Sequence, residues 1–293
     1  MRIATPITFA GVSQRALDLV APEFERAGFI PVAAAGGDSR ISDMKKADAS
    51  TLLGGDSVVV HLARGDVQIA AAGTVTHRDG DKIYAFGHPF FGLGSADLPM
   101  SESHVVTVVP NANNSFKLAV SDALVGSMTQ DRATGIYGLL GRQPRMLPVK
   151  INLTTSRGRK ETIRLEAAID ELLTGLILNV GVANTLVGNE RGIGSATIDL
   201  TGEVRVRGEQ PINLSRRFVG LQANGLAAAA VAVPVTALLR AGFDGLEITG
   251  IDLNITVTEG SMTAVLDRIS VDRERVQAGS TIELTLSQRS ANG

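Results

Sequence analysis

The 293-residue sequence contains neither cysteine nor tryptophan. Without cysteine there are no disulfides, no thiolate nucleophile and no Cys-based zinc site. Charge of one sign is also lacking: 28 basic residues stand against 30 acidic ones, for a net −2. That balance gives no basic field, so nucleic acid is not an expected partner. The most apolar run, Leu226 to Val235, is about half the length needed to cross a bilayer and carries Pro234 near its end, so no membrane span is expected. Met1 to Pro6 lacks the apolar core of a signal peptide. Histidine occurs four times, as His61, His77, His88 and His104. None forms the i, i+4 pair of a zinc helix, and no cofactor is expected.

Glycine is abundant, at 32 residues, with 10 prolines and many valines, isoleucines and threonines. This mixture favours short strands and turns over a helical bundle. Alternation marks strands near 3–9, 29–33, 57–62, 67–76, 82–86, 104–109, 116–120, 125–129, 146–155 and 162–168. Residues 130–138 read as a polar, Gly-rich turn. Ser13 can cap a helix carrying Leu17, Val20 and Phe24, ended by Gly28, with Pro22 as a kink or break. From Asp170 the character changes: helices are expected over Glu171–Val187 and Gly225–Ala241. Between them, 193–200 and 203–207 read as a strand pair. Further strands follow at 246–258, 262–270 and 281–286, the last resembling the opening strand of a sandwich. The expected fold is therefore mainly β with an α+β segment.

The densest feature is Tyr84 to Gly94, where Phe86, Phe90 and Phe91 alternate with Gly87, Pro89, Gly92 and Gly94 around His88. A strand delivers His88 into a rigid, ring-walled loop, a suitable place for a general base. An orienting carboxylate would have to reach one ring nitrogen. Asp97 and Asp131, both in Gly-bearing neighbourhoods, are the candidates, and spacing does not choose between them. No serine shows a nucleophile-elbow pattern.

Gly73-Thr74-Val75-Thr76, Ala85-Phe86-Gly87-His88-Pro89-Phe90, Asn114-Ser115-Phe116-Lys117, and Gln130-Asp131-Arg132 with Gly135-Ile136-Tyr137-Gly138 together resemble the SpoIVB-type serine peptidase family (stage IV sporulation protein B). The likeness is closest to the larger exported bacterial members and is specific over about residues 70–150. It implies a trypsin-like β-barrel, a protein or peptide substrate, an extracytoplasmic location and His88 as catalytic base. Asp97 falls where sporulation-type members carry an acidic residue. The family's nucleophile lies in a Gly-Met-Ser-Gly-Ser-Pro segment that these residues do not contain. The resemblance, with the abrupt start, implies an upstream region of the same polypeptide that carries it.

These readings divide the chain into 1–168 (peptidase-like), 169–266 (α+β) and 267–293 (start of a sandwich). The expected function is that of a serine endopeptidase family member, inactive without its nucleophile. A non-catalytic β-rich binding or scaffold module is the alternative, and a metal-dependent hydrolase a third. Apolar surface around Ile3–Phe9 and Phe90-Phe91 is expected to be exposed.

Overall fold

A computed structural model describes residues 5–34, 41, 43–110, 115–189, 195–243, 245–260, 262–273 and 275–290. The chain is mainly β, with 52% of residues in strands and 18% in helices.

It opens with strand β1 (Thr5–Ala10), helix α1 (Gln14–Arg26) and strand β2 (Phe29–Ala33). The Ser13 side chain accepts a hydrogen bond from the Ala16 N–H, capping α1 as its sequence suggests. Ala16, Leu17, Val20 and Phe24 form the buried stripe, and Phe24 meets Phe9 edge to face. Pro22 does not break the helix. It sits on the exposed side, where the carbonyl it leaves without a partner can turn to water. Strand β1 lies between β2, to which it is parallel, and β4 (Gln68–Asp79), to which it is antiparallel. This insertion corrects one expectation: Ile7 and Phe9 are fully buried and Phe90 nearly so. Ile3 lies outside the described residues.

Six strands, β4 among them, come after β2: β3 (Ser57–Gly65), β4, β5 (Lys82–Ala85), β6 (Gly94–Val109), β7 (Phe116–Arg132) and β8 (Gly135–Leu140). Their pairings run β3–β6–β7–β8–β5–β4 and return to β3, every neighbour antiparallel, so the ring closes. A ring removes exposed sheet edges. Val58, Val60, Ile83, Leu98, Met100, Met128 and Ile136 join the hydrophobic core. The expected turn over 130–138 is instead the end of β7, a tight reversal and the whole start of β8. Its glycines are packing sites as well as turn formers: a Cβ on Gly138 would lie 2.7 Å from the Met100 sulfur.

Strands β9 (Met146–Thr154) and β10 (Lys160–Ala168) form a hairpin, followed by helix α2 (Leu173–Asn189), β11 (Ala196–Val206), β12 (Ile212–Gly220), helix α3 (Ala223–Arg240) and β13 (Ile248–Glu259). They build the order β12-β11-β13-β9-β10, with β9 and β13 parallel, and β10 joins this part to β3 opposite Gly65. The sheet thus runs without interruption across residue 168. Helices α2 and α3 pack on one another, α2 against β9 and β10 and α3 against β11 and β12. The expected strand pair at 193–200 and 203–207 is one strand, β11. It passes straight through Gly202, where the Asp252 carbonyl approaches too closely for a side chain. Among the described residues α3 is the helix whose 18 residues and apolar composition meet the measure of a membrane span. Its Ala227, Ala228, Val231 and Val235 are buried.

Strands β14 (Ala264–Val271) and β15 (Leu284–Ser290) make a separate two-stranded ribbon. Allowing for the bulge after Leu266, the register puts Leu266, Ile269 and Val271 on the same face as Leu284 and Leu286. All five are exposed.

Candidate functional site

The loop after β5 is set by its first residue. Phe86 adopts φ +74°, a left-handed conformation uncommon for a bulky side chain, while its N–H donates to the Thr74 carbonyl at 2.9 Å. Its ring lies against Gly73, leaving no room for a Cβ there. Phe86 meets both His88 and Phe90 edge to face, at centroid distances of 5.8 and 5.6 Å. Phe90 packs on Phe91, and Phe91 on Phe29 of β2. A continuous row of rings therefore ties His88 to the first strands of the chain.

Asp131, near the end of β7, holds the second half of the loop. It is 2% exposed and accepts four backbone hydrogen bonds. Phe90 N–H donates to Oδ1 at 2.8 Å, while Phe91, Gly92 and Leu93 donate to Oδ2 at 2.6, 2.6 and 3.0 Å. Four amide donors on one carboxylate form a strong, geometrically specific cradle.

His88 is half-buried, and its Nδ1 lies 2.8 Å from the Pro89 carbonyl oxygen. A carbonyl only accepts, so Nδ1 carries the proton and, in the neutral ring, Nε2 is the basic nitrogen. The group that fixes the tautomer is thus a backbone carbonyl. Neither sequence-derived carboxylate is bonded to the ring. Asp131 is engaged by the loop amides. Asp97 accepts from Ser127 Oγ at 2.7 Å and from the Arg145 N–H at 3.1 Å, and pairs with Arg142 at 3.4 Å.

His88 borders a hollow of about 340 Å³ that also touches Thr8, Thr74, Phe86, Phe116 and Lys117. Lys117, on β7, donates to Thr74 Oγ1 at 2.9 Å, and partial burial lowers its pKa from the usual lysine value. A second hollow of about 500 Å³ adjoins the preceding residue, Gly87, and is lined by Tyr84, Tyr137, Lys82 and Arg132. Neither hollow was legible in the sequence. The one signal for Lys117 was a cation set between Phe116 and Leu118 on a strand.

The remaining histidines serve other ends. His77 stacks on Tyr84, and His104 pairs with Asp122 at 2.9 Å on the surface. His61 is buried on β3, its Nε2 2.9 Å from Ser101 Oγ and 3.2 Å from Ser121 Oγ. That spacing is suitable for a Ser–His pair, but burial, with a contribution from Arg64, holds the His61 pKa at about 3. So weak a base takes little of a hydroxyl's proton at neutral pH. With Ser101 only 2% exposed, the pair is a core hydrogen bond. Ser103 Oγ donates to Ser57. Among the described residues no three His, Asp or Glu side chains gather as a metal site. Compared with protein-family models, with curated proteins and with solved structures, the chain matches none.

Proposed function

We propose that this chain is the base-bearing part of a serine peptidase with a trypsin-like barrel, and that His88 is its general base. The observation that carries this reading is the Nδ1–Pro89 carbonyl bond, which reserves Nε2 for a substrate-side proton. The closed antiparallel ring and the hollow that His88 lines support it. In the reaction, Nε2 removes the proton of a serine hydroxyl as its oxygen attacks the peptide carbonyl. The same proton then passes to the leaving amine, and water repeats the cycle on the acyl-enzyme. Asp131 acts at one remove, by fixing the loop. The serine belongs to a segment outside these residues, as does the pair of oxyanion donors.

The test extends the chain upstream in the same reading frame and measures cleavage of a fluorescent casein. His88→Ala should lower the rate about 10²- to 10⁴-fold, while the 293-residue chain alone should neither cleave nor take up a fluorophosphonate. Equal rates with and without His88, or no cleavage by the extended protein, would sink the proposal. One observation favours the rival reading, a binding module: the carboxylates near His88 are bonded elsewhere. That reading expects ligand binding at the same loop without turnover.

A further inference from the structure

Among the described residues, none that lines the hollow His88 shares with Lys117 is acidic. Its lining combines apolar side chains, Phe86, Val108 and Phe116, with the hydroxyls of Thr8 and Thr74. Lys117 is the lysine of this hollow, and it lacks the carboxylate partner that Lys45 and Lys82 have. Lys45 pairs with Glu102 at 3.0 Å and Lys82 with Asp79 at 3.4 Å. Lys117 spends one of its three N–H donors on Thr74 Oγ1, and among the described residues no carboxylate pairs with it. A partly buried ammonium with no counter-charge beside it gains from pairing with an anion. Burial indeed shifts its pKa downward, towards the neutral form. Thr74 accepts from Lys117, so its own hydroxyl hydrogen is left to donate.

We propose that this hollow binds a carboxylate of a peptide, paired with the Lys117 ammonium and hydrogen-bonded by Thr74, with an apolar side chain against Phe86 and Phe116. One cation matches the single charge of a carboxylate. A phosphate, with nearly two charges, calls for an arginine cluster or a helix N-terminus, which the described lining residues do not supply. The carboxylate belongs either to a chain end or to an acidic side chain, and both present the same two oxygens. The inference rests on the peptidase reading only in calling this peptide a substrate. There it makes acid-bearing peptides the preferred class.

Equilibrium titration of the full chain, followed by NMR, tests it with four probes: N-acetyl-phenylalanine, its amide, acetyl-Phe-Glu-Ala-amide and acetyl-Phe-Gln-Ala-amide. The free acid should bind at least tenfold tighter than its amide if the hollow takes a chain end. The Glu peptide should lead the Gln peptide by the same margin if it takes a side chain. Lys117→Gln should erase the preference and Lys117→Arg should keep most of it. Raising the salt from 20 to 500 mM should weaken it in the unmodified protein, a readout that needs no variant to fold. Acid and amide binding within twofold of one another overturns the proposal, as does a preference that survives in folded Lys117→Gln. Cleavage is not read here, so if the upstream-extended protein never cleaves casein while the 293-residue chain still prefers the acids, the peptidase reading falls and this one stands.

Discussion

Phe91 donates its backbone N–H to Asp131 Oδ2 at 2.6 Å, and through that bond a side chain 40 residues away fixes the backbone beside His88. The same oxygen takes the next two amides, so the loop curls around a single carboxylate. An asparagine at this position keeps the shape but offers one accepting atom in place of two. At least one amide would then face an N–H₂ group. Each charge-assisted bond is worth roughly 1.5–3 kcal/mol, and a buried donor left unpaired costs about 1–3. Asp131→Asn should therefore destabilise the protein by about 2–4 kcal/mol in urea unfolding and alter the near-UV signal of the Phe row. A loss below about 0.5 kcal/mol, the level of an ordinary surface change, would mean that the amides are held by something else.

Gly73 makes a second, steric link to the loop, because the Phe86 ring occupies the space of its missing Cβ. Gly73→Ala forces that ring away and with it the edge-to-face contact to His88. Overpacking of this kind costs about 1–3 kcal/mol. Gly80→Ala is the control: unlike Gly73, Gly80 has positive φ, at +60°, and nothing lies within 4 Å of its Cβ position. It should pay only the left-handed backbone cost, about 1–2 kcal/mol, with the His88 ring resonances unmoved. Shifted His88 resonances in Gly73→Ala alone would separate the two effects. Identical spectra for both variants would refute the ring-on-glycine account.

Much of the fold could be read from residue patterns, because most strands alternate and most helices carry their own caps. Ser13, Leu17, Val20 and Phe24 specify α1 completely. The failures have a common cause. Gly135 and Gly138, and likewise Gly202, look like turn residues in one dimension. In three dimensions Gly138 and Gly202 are places where a neighbouring chain passes too close for a side chain. Strand β12 was missed since it is an edge strand whose Ser215, Arg216 and Arg217 face solvent and show no apolar alternation. At the site, the aromatic loop and His88 were legible from composition alone. The roles of Asp131, Asp97 and Lys117 were not, because each depends on contacts 30 to 48 residues away. Spacing in sequence carries no information about which carboxylate meets which donor.

The ribbon of β14 and β15 should be the first part of the chain to open. A two-stranded ribbon is marginal in water unless something covers it, and here Ile269, Leu284 and Leu286 are each more than half exposed. Hydrogen exchange should show the β14 and β15 amides exchanging through local opening, orders of magnitude faster than those of β3 and β6. Ile269→Thr with Leu286→Thr should reduce the binding of an apolar dye while leaving the main unfolding transition within about 0.5 kcal/mol. Protection of the ribbon equal to that of β3 would show that its apolar face is covered in solution.

His61 makes stability depend on pH in a defined window. In the folded chain burial holds its pKa at about 3, against 6.5 for the exposed ring of the unfolded chain. Its Nδ1 is buried without a hydrogen-bond partner, and its Nε2 meets two hydroxyls, so the fold has no counter-charge to offer an imidazolium. Above pH 6.5 both states hold the neutral ring and His61 adds no slope. Below it the unfolded chain takes up a proton that the folded chain refuses, so stability falls as the pH drops from 6.5 towards 3. The slope approaches about 1.4 kcal/mol per pH unit, which amounts to about 2 kcal/mol between pH 7 and pH 5. Carboxylates titrate chiefly below this range, and His77, His88 and His104 can be removed by difference. The measurement is urea unfolding at half-unit steps from pH 5 to pH 7.5, for the unmodified protein and for His61→Leu. Leucine leaves Ser101 and Ser121 without their ring partner, so the variant should be less stable at pH 7.5. That deficit should shrink by about 2 kcal/mol on going to pH 5, because the variant has no proton to refuse. A deficit that stays constant across the window would show that His61 titrates alike in both states, and the buried neutral ring would have to be abandoned.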